Sequence, residues 1–186
     1  MTRAHVGLGS NVEPEANVRA AVRLLAARER VLAVSTFYWT EAVPPGAPAF
    51  INGALALETQ TPARELKLVV LRDVEARLGR LRTPDRNAPR TIDCDLLVYG
   101  NEVARERNLL LPSPDIEARA FVAIPLFEIA PDLILPGSGR RLADVVASMP
   151  PHPMVPVGEL RDAIRRELEG KDGSSTHRSA RPRAPG

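Results

Sequence analysis

Cysteine is nearly missing from this chain: Cys94 is the only one in 186 residues. An internal disulfide framework is thereby excluded, and a reducing cytoplasm is the expected compartment. No uninterrupted apolar run approaches the roughly 20 residues of a membrane span, so insertion into a bilayer is not expected. The start, Met1-Thr2-Arg3-Ala4-His5, passes directly into Val6-Gly7-Leu8, so a secretory signal segment is not expected. Histidine is scarce too, and His5, His152 and His177 are too scattered to form a ligand set. No Ser-His-Asp or Cys-His grouping can be read. Lysine is rare beside abundant arginine, a bias shared by GC-rich genomes and heat-adapted hosts.

The chain does have the composition of an ordinary globular protein, 44% apolar and 26% charged. Its length fits one domain, which buries roughly 70% of the surface exposed when unfolded. The formal net charge is +2, but residues 171–186 carry +3 of it, leaving −1 for residues 1–170. The folded part therefore lacks the positive face of a nucleic-acid binder. The Pro-, Ser- and Gly-rich terminus reads as a disordered, solvated basic tail.

Along the chain, 4–9 is a short apolar strand ended by Gly9-Ser10-Asn11, and Pro14 opens a helix over 14–28 with Val18, Ala21 and Leu25 on one face. Residues 31–40 are β-branched and aromatic and predict a second strand, whereas three prolines and a glycine make 41–49 a loop. A third strand over 50–58 puts Ile51, Leu55 and Leu57 on one face and Asn52, Ala54 and Ala56 on the other. Thr61-Pro62 starts a helix in which Leu66, Val69, Val70, Val74 and Leu78 hold helical spacing until Gly79. A fourth strand over 91–99 completes β-α-β-β-α-β, the ferredoxin-like α+β arrangement of an antiparallel sheet with helices packed on it. Beyond it, a helix opens at Ser113-Pro114, an apolar stretch runs from Phe121 to Ile129 across Pro125, and two short helices are expected over 142–149 and 157–169. The division expected is a domain over 1–150, a helical extension over 151–170 and the tail over 171–186.

The chemistry concentrates in residues 80–95. Alternation places Asp93 and Asp95 on one face of the fourth strand and Ile92, Cys94 and Leu96 on the other. Two carboxylates about 6.6 Å apart along a strand repel by roughly 2.5 kcal/mol at an effective dielectric near 20. A cation between them would relieve this, and Mg²⁺ suits one or two carboxylates completed by water and phosphate. Arg80, Arg82, Arg86 and Arg90 lie just upstream, on a loop pinned by Pro84 and Pro89. Carboxylates and arginines together suit a metal–polyphosphate site, and by spacing alone they suit a surface ladder of Asp–Arg salt bridges equally well. Cys94 reads as a buried small hydrophobe. Gly7-Leu8-Gly9 lacks the further glycine of a dinucleotide loop and the lysine of a P-loop. Phe50, Asn52 and Phe121 read, from the residues alone, as core and loop positions.

Gly9-Ser10-Asn11, Phe50-Ile51-Asn52, Arg80-Leu81-Arg82, the run Pro89-Arg90-Thr91-Ile92-Asp93-Cys94-Asp95-Leu96-Leu97 and Phe121 through Pro131 together resemble the 6-hydroxymethyl-7,8-dihydropterin pyrophosphokinase family. The likeness spans about residues 4 to 149, and the Pro-Arg-Thr-Ile-Asp-x-Asp run is its most specific part. It implies an enzyme of folate biosynthesis that moves the β,γ-diphosphate of ATP onto the hydroxymethyl oxygen of the pterin and releases AMP, with active-site loops near 11–15, 43–49 and 81–90. By the same resemblance Asp93 and Asp95 would hold two Mg²⁺ ions, Arg82 would act on the diphosphate and Arg80 would position ATP. Arg90, Arg119, Glu75, Arg72 and Ser113 fall on ATP-site positions. Phe50 and Phe121 would sandwich the pterin, and Asn52, Thr40 and the backbone near Val43 would read its edge. The partners implied are ATP and the pterin, with neither nucleic acid nor membrane. A monomer is expected, with association with a neighbouring folate-pathway enzyme as a further possibility.

Three positions depart from the family pattern: Asn87 stands where a Trp is common, Ser113 where many members have His, and Arg72 where Gln is frequent. They motivate a rival reading, a catalytically weakened homologue that binds pterin and ATP. A second rival, a ferredoxin-like RNA-binding module, needs aromatics on the central strands, and Asp93 and Asp95 stand there instead.

Overall fold

The computed structural model describes residues 1–41, 48–80 and 89–172. Alternating apolar positions build an antiparallel sheet from β1 (Thr2–Ser10), β2 (Arg30–Val34), β3 (Tyr38–Thr40), β4 (Phe50–Thr59) and β5 (Asp93–Tyr99). β1 lies between β4 and β5, and β2 and β3 both pair with the far side of β4. With α1 (Pro14–Ala26) after β1 and a helical segment between β4 and β5, the fold is α+β, and the connectivity is consistent with the β-α-β-β-α-β pattern once β2 and β3 count as one divided strand.

The two faces of the sheet have different tasks. Ala4, Val6 and Leu8 of β1, Ile51, Leu55 and Leu57 of β4, and Cys94 and Leu96 of β5 bury one face against Val18, Ala21, Val22 and Leu25 of α1 and against Leu66, Val70, Leu71 and Val74. A second apolar cluster joins Leu97 and Val98 to Ile116 of α4 (Asp115–Ala118), Leu126 of α5 (Ala120–Ile129), and Leu142 and Val145 of α6 (Leu142–Ala147). α5 runs across β4, where Ala54 and Ala56 are both buried, and continues through Pro125. At the end of the sheet where β1 and β4 pair Gly9 with Asn52, this second face is left to a cavity.

Three local departures from the sequence pattern have physical causes. The expected strand over 31–40 is divided between β2 and β3, because Ser35 exchanges its backbone N–H and its hydroxyl with Ala54 at 3.0 and 2.8 Å while Phe37 turns wholly into the core. Phe37 lies against Gly53, where a Cβ would come within 2.3 Å of the ring. The helix over 61–78 is α-helical at α2 (Ala63–Glu65) and α3 (Arg72–Arg77) but widens to a π-helix over Leu66–Leu71. Residues five apart then share a face, so Leu66 and Leu71 are both buried while Val69 is 56% exposed instead of joining the core. A hairpin of β6 (Ala104–Glu106) and β7 (Leu109–Leu111) carries no alternation long enough to be read in the sequence.

The C-terminal part adds β8 (Val155–Pro156), paired to β3, and α7 (Leu160–Asp172). Val157, Leu160 and Ile164 enter the main core, and Glu167 ion-pairs with Arg19 and, at 3.3 Å, with Arg23 of α1. Among the described residues no helix is long and apolar enough to cross a membrane. Residues 173–186, most of the expected tail, lie outside the described residues.

Candidate active site

Gly9-Ser10-Asn11 at the end of β1 fixes the entrance to β5. The Ser10 hydroxyl donates to the Thr91 carbonyl at 2.6 Å, and the Asn11 side-chain carbonyl accepts the Arg90 N–H at 2.6 Å. The Asn11 N–H returns to the Arg90 carbonyl at 3.0 Å. The turn therefore sets where Arg90 and Asp93 project. In register, Gly9 lies opposite Asn52 on one side and Asp93 on the other, so an amide and a carboxylate flank a residue without a side chain. A Cβ there would sit 2.7 Å from the Asn52 Oδ1. The missing side chain keeps the floor open.

Asp93 is held by two arginines, accepting from Arg80 on Oδ1 and from Arg90 on Oδ2 at 2.7 Å. The same Arg80 nitrogen donates to Glu75, which is 3% exposed and also accepts the Cys94 N–H at 3.0 Å. Burial works against the Arg80 charge, but Asp93 and Glu75 outweigh it and raise its pKa. Asp95 makes no hydrogen bond or ion pair among the described residues. It is exposed to the cavity, where solvent displaced by the surrounding walls, then the Asp93 charge, pushes its carboxyl up to about 6; Glu75 and Asp115 add to this and Lys67 opposes it.

The other wall comes from β3, β4 and the start of α5. Asn52 donates to the Thr40 hydroxyl at 2.7 Å, leaving its second N–H and its carbonyl for a ligand. The Arg119 guanidinium lies 5.6 Å from the Phe121 ring centre and pairs with Asp115 at 2.8 Å.

One cavity of about 600 Å³ gathers Arg72, Arg80, Arg90, Asp93, Asp95 and Arg119. Thr40, Phe50, Asn52 and Phe121 line the same space. Glu75 stands behind the wall, on Arg80. Ser113 does not line the cavity; its N–H donates to the Leu97 carbonyl at 2.8 Å and its hydroxyl accepts the Asp115 N–H at 3.4 Å. Arg82, Asn87 and Val43, with most of both expected loops, lie outside the described residues. Sequence reasoning missed Lys67 and Asp115, which also line the cavity. The usable signal for Lys67 was its rarity, since Lys171 is the only other lysine in the chain.

Residues 5–131 match the family described as 7,8-dihydro-6-hydroxymethylpterin-pyrophosphokinase (HPPK). The chain belongs to this family. Two relatives, both named 2-amino-4-hydroxy-6-hydroxymethyldihydropteridine pyrophosphokinase, show how far the HPPK likeness extends. The Methylorubrum extorquens protein is 40% identical over 158 residues, covering 81% of this chain and 96% of that one. The Pseudomonas aeruginosa protein is 38% identical over 152 residues, covering 80% and 92%. The crystal structure of wild-type HPPK-DHPS from Plasmodium falciparum with SDX-DHP has the same fold, with a TM-score of 0.59 over 79% of this chain at 13% identity. This chain spans 43% of that longer one. The HPPK match stops at residue 131, so α6, β8 and α7 lie beyond it.

Proposed function

We propose that this chain is the ATP-dependent pyrophosphokinase of folate biosynthesis, moving the β,γ-diphosphate of ATP to 6-hydroxymethyl-7,8-dihydropterin. The hydroxymethyl oxygen bonds to the β-phosphorus, the bond from that phosphorus to the α,β-bridging oxygen breaks, AMP leaves with the bridging oxygen, and the hydroxyl proton is released. The observation that carries this reading is the joining, in one cavity, of the paired carboxylates Asp93 and Asp95, the cations Arg80 and Arg90, and two aromatic rings.

The donor set fits a hard divalent cation. Asp95 has three acidic neighbours and no cation in contact among the described residues, an excess of negative charge that Mg²⁺ would neutralise. Mg²⁺ takes one or two carboxylates and completes its shell with water and phosphate. Asp93 and Asp95 would hold it, two ions being expected. Bound there, Mg²⁺ would make the alcohol a better nucleophile and neutralise charge on the phosphates.

The remaining work falls to the chain's own side chains. Arg80, fixed by Glu75 and Asp93, presents a guanidinium already oriented toward the phosphates, so little reorganisation accompanies transfer. Arg72, Arg90 and Arg119 with Lys67 make the polyphosphate wall. Phe50 and Phe121 stack on the pterin ring, worth about 0.5–1.5 kcal/mol per pair beyond burial, while Asn52 and Thr40 read its edge. Arg82 and the Val43 backbone enter on the family resemblance, and Ser113 stands outside the cavity wall. The proposal takes residues 1–150 as the catalytic domain and 151–170 as its extension, in a cytoplasmic monomer free to associate with a neighbouring folate enzyme.

The test is to mix the protein with ATP, Mg²⁺ and the pterin and identify the nucleotide formed. AMP that appears only with the pterin is the expected product. ADP, or pterin binding without turnover, would overturn the proposal, the latter in favour of a weakened homologue.

A further inference from the structure

Phe121 touches a residue that the family match does not reach. The His152 ring lies 6.2 Å from the Phe121 ring, centre to centre, tilted by 45°. This is within the range in which tilted aromatic pairs attract. His152 meets Phe121 through its ring, and its buried Nε2 has no hydrogen-bond partner among the described residues. It sits between α6 and β8, and its segment is tied down just downstream: Val155 pairs with Trp39, and the Val157 N–H donates to the Phe37 carbonyl at 2.8 Å. β3, to which the segment is tied, also carries Thr40, the partner of Asn52 on the same wall as Phe121. The His152 segment thus braces this wall from behind, meeting Phe121 at the start of α5 and tied to β3.

We propose that His152 is a positioning residue for the pterin subsite, holding the Phe121 ring at the angle from which it stacks on a flat substrate. The inference rests on the reading above that Phe121 contacts the pterin. Arg119 also contacts this ring, but it is shared with Asp115 and faces the polyphosphate wall. A phosphate that engages Arg119 leaves His152 as the aromatic partner of this ring among the described residues. The C-terminal extension thereby takes part in substrate recognition as well as in the core.

The test compares His152→Ala, His152→Asn and His152→Phe in the full-length chain. Two readouts are used: steady-state kinetics with each substrate varied, and direct binding of 6-hydroxymethylpterin by fluorescence titration. Removing the ring should raise the pterin KM and the pterin Kd by about three- to tenfold, the loss of one aromatic pair, and leave the ATP KM unchanged. His152→Phe should restore both constants, since it keeps an aromatic ring against Phe121. His152→Asn carries the same test should the alanine variant fold poorly. Unchanged pterin binding in the alanine and asparagine variants, or a phenylalanine variant as weak as the alanine one, would overturn the assignment. Absence of pterin-dependent AMP from the wild type would instead overturn the proposed reaction, so the two failures are distinguishable.

Discussion

At the residue scale, Asp93 and Asp95 divide the two readings that their spacing left open. Asp93 is the salt-bridged carboxylate, engaged on both oxygens by Arg80 and Arg90. Asp95 is the one without a cation in contact among the described residues, and it carries the electrostatic cost. Its folded pKa of about 6 stands above the ordinary 3.8, so the folded chain holds this proton more readily than the unfolded chain. Asp95 therefore favours folding below pH 3.8, and that contribution is lost as pH rises through 6. Asp95→Asn should stabilise the chain in EDTA at pH 7.5 by about 1 kcal/mol, the shift being discounted because the carboxyl opens to the cavity. Turnover should fall at least about 10²-fold with the fold intact. Thermal melting in EDTA at pH 7.5 and pH 4 checks the first part: the gain should vanish at the lower pH, and equal melting of both proteins at pH 7.5 would contradict it.

At the element scale, the helical segment and the divided strand both show packing overriding local pattern. The π-helical stretch begins at Leu66 and ends at Leu71, so Lys67 and Arg72, five apart, both line the cavity. In a straight α-helix they would point in clearly different directions. Lys67→Met should raise the ATP KM about three- to tenfold by removing one positive charge from the cavity wall, and leave the pterin KM unchanged; initial-rate kinetics with each substrate varied decides it. Gly53 is required by the turn of Phe37 into the core. Gly53→Ala places a methyl on a ring that is fully buried, and should cost about 1–3 kcal/mol in urea denaturation. A midpoint equal to wild type would show that the ring has room to move.

At the scale of the whole molecule, stability depends on pH and on the C-terminal extension. His5 is 4% exposed, both its ring nitrogens lack partners among the described residues, and burial, aided by Arg3, lowers its pKa to about 4. The unfolded chain takes this proton near 6.5, so stability is complete above that pH and is lost as pH falls toward 4, by about 3 kcal/mol in all. His5→Leu should flatten urea midpoints between pH 7 and pH 4.5, and a slope identical to wild type would refute the assignment. Ile164 of α7 is 1% exposed in the main core. Ile164→Ala should cost about 2–5 kcal/mol, as deletion of a fully buried aliphatic side chain does. A cost below about 1 kcal/mol by denaturation would mean that α7 packs only loosely on the domain.

The sequence by itself determined the parts that depend on short-range geometry. Period-two alternation is intrinsic to an extended backbone, so it placed Asp93 and Asp95 on one face, Cys94 and Leu96 on the other, and Ile51, Leu55 and Leu57 in the core. Turn chemistry likewise marked Gly9-Ser10-Asn11 and the order of the sheet-forming segments. Only the tertiary structure decided which charge meets which: Asp93 with Arg80 and Arg90, Glu75 behind Arg80, Lys67 on the cavity wall, and His152 against Phe121. Those contacts join residues from separate elements, and the register, the π turn and the docking of the extension set their distances. Spacing along a chain carries no information about such distances, because side chains from different elements meet only after the core has packed.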